Sequence, residues 1–229
     1  VTYRLTQIDE LTRNRHHHLT SDDVCLYYGE YTAGGGYAHS ETNQLIWNLK
    51  KSVQATAREL HYKQIAISQV AKIVSEMDII KTVTFVPVPP SKCETHSEHD
   101  NRMIAILEKS KLINPDLDYR KLITQKDNMT ASHGTQDKPR PSPDEIAANY
   151  IFDSSLIDGI RPLVVVFDDV LTAGSHYKAM KTVIKQHLPD IQIIGLFVAR
   201  TVRKEKYDID NSDDDDENFL RDFDHFSHY

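Results

Sequence analysis

Residues 162–180 read PLVVVFDDVLTAGSHYKAM: an apolar, β-branched run meets two adjacent carboxylates, Asp168 and Asp169, then a Thr-x-Gly turn and a helix-like stretch. The β-branched run predicts a buried strand, and Gly174 marks a turn that no regular element continues through. The next apolar run, IQIIGLFVAR at 191–200, completes a β-α-β unit whose strands suit a parallel sheet covered on both faces. Ligands of open α/β sheets bind beyond the carboxyl ends of the strands, which is where Asp168 and Asp169 fall. Their carboxylates are suited to accept hydrogen bonds from vicinal hydroxyls. The turn Thr172, Ala173, Gly174, Ser175 offers backbone N–H groups and hydroxyls at a helix start, a combination that suits a phosphate. Gly174 is expected to let the backbone approach that anion closely.

Working outward, CLYYGEYTAGGGYAH at 25–39 predicts a strand or hairpin closed by a tight turn, because Gly34, Gly35 and Gly36 suit no regular element. From Glu41, Leu45, Ile46 and Leu49 recur at helical spacing, as do Ile65, Ile67, Val70 and Ile73, so two helices are expected. TVTFVPVPPSK at 82–92 reads as a buried strand leaving the sheet into a proline-constrained loop, followed by a helix over about 101–111. Residues 114–146 show little periodicity and few large apolar anchors, which predicts a long irregular segment of the kind that forms lids. The end of the chain, NSDDDDENFLRDFDHFSHY, reads as a solvated acidic tail. The expected organisation is an N-terminal aromatic and Gly-rich region (1–40) packed on the core, one α/β domain (41–207) and the tail (208–229).

A chain of 229 residues can bury a substantial core. No apolar run reaches the length of a membrane span, and VTYRLTQIDELTRNR lacks an apolar signal core, so a soluble cytoplasmic protein is expected. Cys25 and Cys93 stand apart without a CxxC partner, which argues against a disulfide framework or a cysteine zinc site. The net charge of −7 does not indicate a nucleic-acid partner, and it leaves a protein partner or a homo-oligomer open. His16, His17 and His18 read as a solvated polar turn, since successive residues rarely point at one ion. Trp47, Tyr27, Tyr28 and Tyr31, set among apolar neighbours, are expected in the core.

VVVFDDVLTAGS (164–175) resembles the phosphoribosyl-pyrophosphate (PRPP) motif of type I phosphoribosyltransferases. FVPVPPSK, DNRM and LFVAR resemble segments of predicted amidophosphoribosyltransferase-like proteins related to the competence ComF family, so the likeness spans Tyr28 to Arg200. It implies a type I phosphoribosyltransferase fold: a mostly parallel sheet flanked by helices, with a long irregular hood. It also implies that Asp168 and Asp169 hold the ribose hydroxyls and that Thr172, Ala173, Gly174, Ser175 and His176 bind the 5′-phosphate. Pro90, Ser91 and Lys92 would form the pyrophosphate loop, with Lys92 and Arg102 as cations and His133, Lys138 and Arg140 as hood candidates. Mg²⁺ would be carried largely by the pyrophosphate, with Asp168 and Asp169 as its only protein candidates. The implied activity is transfer of phosphoribosyl from PRPP to an acceptor with release of pyrophosphate. The alternative is a non-catalytic protein responsive to PRPP or a nucleotide, in DNA uptake or phage defence.

The sequence departs from the family at His176, where Thr or Ser is usual. It also has only Cys25 near the end where ComF-like proteins often carry a zinc module. A receiver domain also ends a strand on an acidic pair, but that pair opens its domain, whereas here only residues 170–229 remain.

Overall fold

The computed structural model describes residues 4–128 and 141–203. In chain order the elements are β1 (Thr6–Gln7), α1 (Glu10–Arg13), β2 (Cys25–Ala33), α2 (Glu41–Leu49), α3 (Ala57–Ser75), β3 (Val83–Pro87), α4 (Arg102–Ile113), β4 (Asp118–Tyr119), β5 (Ile123–Gln125), α5 (Pro143–Ala148), β6 (Tyr150–Phe152), β7 (Leu163–Leu171), α6 (Ser175–His187) and β8 (Gln192–Arg203). Six strands form one sheet in the order β1-β2-β8-β7-β3-β4, and β5 and β6 pair separately. Every pairing in the large sheet is parallel except that of β1 with β2.

Local chemistry sets the helix starts. Thr56 and Glu59 close a capping box on α3, Ser142 and Glu145 do the same on α5, and the Ser40 hydroxyl accepts from the Asn43 N–H ahead of α2. The sheet is then buried from both sides. Leu45, Ile46, Val70, Val74, Ile106 and Leu107 from α2, α3 and α4 pack with Phe85, Val165 and Phe167 on one face. Tyr177, Met180 and Ile184 of α6 pack with Val86, Val164 and Val166 on the other. Alternation along β7 thus sends Val164 and Val166 one way and Val165 and Phe167 the other, the pattern of a strand covered on both sides.

Cys25–Ala33, expected as a strand or hairpin, is a single strand, and it pairs in parallel with β8 over its whole length. β1 and β2, from the region before residue 41, are therefore strands of the large sheet. The interval 114–146 is not uniformly irregular: β4 extends the sheet, and Leu117, Leu122, Ile123 and Ile146 are buried. Leu117 and Leu122 stand just before β4 and β5, and Ile123 and Ile146 lie in β5 and α5, elements too short to show a period. Ile65 is 41% exposed, and the core face of α3 is carried by Ala66, Ile67, Val70, Ala71 and Val74 instead. Tyr27 and Tyr31 are buried, and Tyr28 and Trp47 pack against the core, as their apolar neighbours suggested.

Candidate functional site

β3 and β7 are neighbours, but the chain leaves them in opposite directions: from β3 through α4 to β4 at one edge, and from β7 through α6 to β8 on the other side. Because α4 and α6 pack on opposite faces, the carboxyl ends of β3 and β7 part at a crevice, the usual ligand position in an open α/β sheet. A cleft of about 230 Å³ lies there, lined by Lys50, Pro89, Pro90 and Ser91, by Asp100, Asn101 and Arg102, and by Asp168, Asp169, Thr172 and His176. The acidic pair, the proline loop and the Thr-x-Gly turn, far apart in sequence, are brought together.

The two carboxylates differ. Asp169 is 4% exposed, and its Oδ2 accepts from Arg102 Nε at 2.8 Å and lies 2.7 Å from the second terminal nitrogen of the same guanidinium. Lys50 Nζ lies 3.5 Å from Asp169 Oδ1. Burial opposes the charge of Asp169, but Lys50 and Arg102 outweigh it and hold the carboxyl well below the usual range. Asp168 has no such partner among the described residues: its Oδ1 accepts from the Asp169 N–H at 2.8 Å. Burial, and then the charge of Asp169, push it up to about 7. One carboxylate is a fixed anion that anchors cations, and the other changes charge near neutrality.

A second row of charges supports the first. Lys63, 4% exposed, donates to the Leu49 and Lys51 carbonyls at 2.8 and 2.6 Å and to Asp100 Oδ2 at 2.6 Å. Arg102 donates to the same Asp100 oxygen at 2.6 Å. Lys63 thus ties the segment bearing Lys50 to the start of α4, and the two cations facing Asp169 share one scaffold.

The Thr-x-Gly turn is held from behind by the N-terminal segment. His16 is fully buried and its Nδ1–H donates to the Thr172 carbonyl, while the His18 N–H donates to the Ala173 carbonyl at 3.0 Å. Gly174 has φ +91°, and a Cβ there would lie 3.0 Å from Leu19 Cδ2. The absence of a side chain at 174 is therefore required by Leu19 and by the backbone conformation, before any anion is considered. With its carbonyls taken by this segment, the turn delivers Ser175, His176 and Tyr177 as the head of α6, whose N-cap Gly174 brings no side-chain acceptor of its own. Asp23, with no exposed side-chain surface, fastens the same segment to α6 through Lys178 at 2.7 Å and Lys181 at 2.6 Å.

Of the residues singled out from sequence, Asp168, Asp169, Arg102, Pro90, Ser91, Thr172 and His176 line the cleft, and Ala173, Gly174 and Ser175 form the adjoining turn. Lys92 does not line it; its carbonyl accepts from His99 Nδ1 at 2.9 Å. Lys50 occupies the cationic place instead. His133, Lys138 and Arg140 lie outside the described residues. Sequence reasoning missed Lys50, Asp100, Lys63 and Tyr150, and it took His16 for solvated; only the DNRM string pointed to Asp100. Among the described residues no group of three or more His, Cys, Asp or Glu side chains is arranged to hold a metal ion. No helix among them is long and apolar enough to cross a membrane. Cys25 is buried and Cys93 half-buried, both as free thiols.

No protein-family model matches the chain, and no curated protein matches it at a significant level. A wider, open groove of about 820 Å³ lies between Leu26 and Tyr28 of β2 and the end of α3, and it shares no lining residue with the cleft.

Proposed function

We propose that the cleft binds the ribose 5-phosphate part of Mg²⁺-PRPP and that the protein transfers the phosphoribosyl group to an acceptor, releasing pyrophosphate. The observation that carries this is the convergence of the Asp168–Asp169 pair, the Thr172–His176 turn and the Pro90–Ser91 loop on one crevice between β3 and β7. Asp168 is the carboxylate left to accept from the ribose hydroxyls, because Asp169 is already engaged by Arg102 and Lys50. The turn at the head of α6 receives the 5′-phosphate. Arg102, its side chain 23% exposed, and Lys50, at 21%, sit where they can face the negative charge that gathers on departing pyrophosphate.

The donor set suits Mg²⁺ only as an ion carried mainly by pyrophosphate oxygens and water, with Asp168 as the cleft carboxylate not paired with a cation among the described residues. When bound, the ion neutralises leaving-group charge. The chain's own contribution is to orient the sugar and phosphate so that the C1–oxygen bond breaks toward the cations. A pyrophosphate-release assay with Mg²⁺-PRPP against nucleobases, amines and nucleic acids tests this. Release that requires one acceptor class, and that Arg102→Ala suppresses, is expected. No release with any acceptor, in a protein that still binds PRPP, would favour a ligand-responsive regulatory protein instead.

A further inference from the structure

Resting on the proposed function, we infer that Tyr150 is a positioning residue: it fixes the ring of His176 so that Nε2–H is presented to the cleft as a neutral donor for a phosphate-monoester oxyanion. The Tyr150 hydroxyl lies 2.9 Å from His176 Nδ1, its one hydrogen-bond partner among the described residues. Tyr150 is 8% exposed, and burial keeps its phenol protonated. A buried phenol that accepted from an Nδ1–H would leave its own proton without an acceptor, so the phenol donates and Nδ1 is the bare nitrogen. The ring proton then sits on Nε2. Burial favours the neutral ring, with Asp169 opposing that effect and Lys50 adding to it.

Tyr150 stands on β6 opposite Gln125 of β5, and Gln125 Nε2 donates to the Ser91 carbonyl at 2.9 Å. One cross-strand row of the β5–β6 pair therefore touches both loops of the cleft, the Ser91 loop through Gln125 and the phosphate turn through Tyr150. The row sets the spacing of the two loops as well as the tautomer. It also accounts for the departure at His176: a shorter Thr or Ser would not place a ring nitrogen on Tyr150 while turning an N–H to the cleft.

Nitrogen-15 NMR of the imidazoles in the full chain tests the tautomer without ligand, with His176→Gln used to assign the signal. The expected result is a single Nε2–H tautomer in the wild type that becomes a mixture in Tyr150→Phe, together with a roughly tenfold loss of ribose 5-phosphate affinity in that variant. A wild-type ring protonated on Nδ1 overturns the inference even if Tyr150→Phe fails to fold. So does a Tyr150→Phe protein with an unchanged tautomer or unchanged affinity. A wild-type protein that binds no ribose 5-phosphate contradicts the proposed function, while the tautomer is decided by NMR alone.

Discussion

At the scale of single residues, the two adjacent aspartates are held in opposite states, and the difference is measurable. Asp168 has a native pKa raised from 3.8 to about 7, so the folded chain holds its proton more tightly than the unfolded chain does. Between those values stability falls as pH rises, and above about 7 the full cost of a poorly compensated buried charge is present. Asp168→Asn keeps the acceptor for the Asp169 N–H and removes that charge. Thermal melts should therefore show the variant gaining stability over the wild type at pH 8 and much less at pH 5; an equal difference at both would contradict the assignment. Asp169→Asn should do the reverse, losing about 1.5–3 kcal/mol in denaturant titration because charged hydrogen bonds from Arg102 are weakened. Gly174→Ala should cost about 1–2 kcal/mol through its left-handed backbone alone, with Leu19 contact in addition. The acidic pair and Gly174 were legible in the sequence because strand, carboxylates, turn and helix follow one another. Lys50 and Lys63 were not, because a lysine's partner 12 or more residues away leaves no local pattern.

At the scale of elements, the segment from His16 to Asp23 is a strap behind the Thr-x-Gly turn. Burial opposes the charge of Asp23, but Lys178, Lys181 and the Thr20 N–H hold its pKa down at about 2. A depressed pKa of this kind contributes stability above about 3.8 and loses it as pH falls toward 2. Asp23→Asn should thus lower the melting temperature at pH 7, and the variant and wild type should converge in acid; a constant gap down to pH 2 would show that the lysines do not hold this carboxyl. The helices α2, α3, α4 and α6 and the strands β3, β7 and β8 were readable from period and composition. The strap was not, since three consecutive histidines look solvated until the Thr172 carbonyl is seen to take one of them. Likewise β4 and β5 are too short for periodicity, and Leu117, Leu122 and Ile123 reveal their burial only through the neighbours they meet.

At the scale of the whole molecule, strand order makes the site. The sequence indicates a parallel β-α-β unit, but which strand lies beside β7 depends on long-range pairing, and only the order β8-β7-β3 opens the crevice where the acidic pair meets the proline loop. Lys92 follows the right strand but does not line the crevice, which Lys50, at the end of α2, does. We propose that this crevice holds a ribose phosphate through Asp168 and the turn before α6. Titration calorimetry of ribose 5-phosphate into the wild type and Asp168→Asn, at pH 8 where Asp168 is charged, tests it most directly. Saturable binding by the wild type, weakened about tenfold or more in Asp168→Asn by the loss of a charged acceptor, is the predicted result. No binding by the folded wild type, or equal affinity in the two proteins, would contradict it.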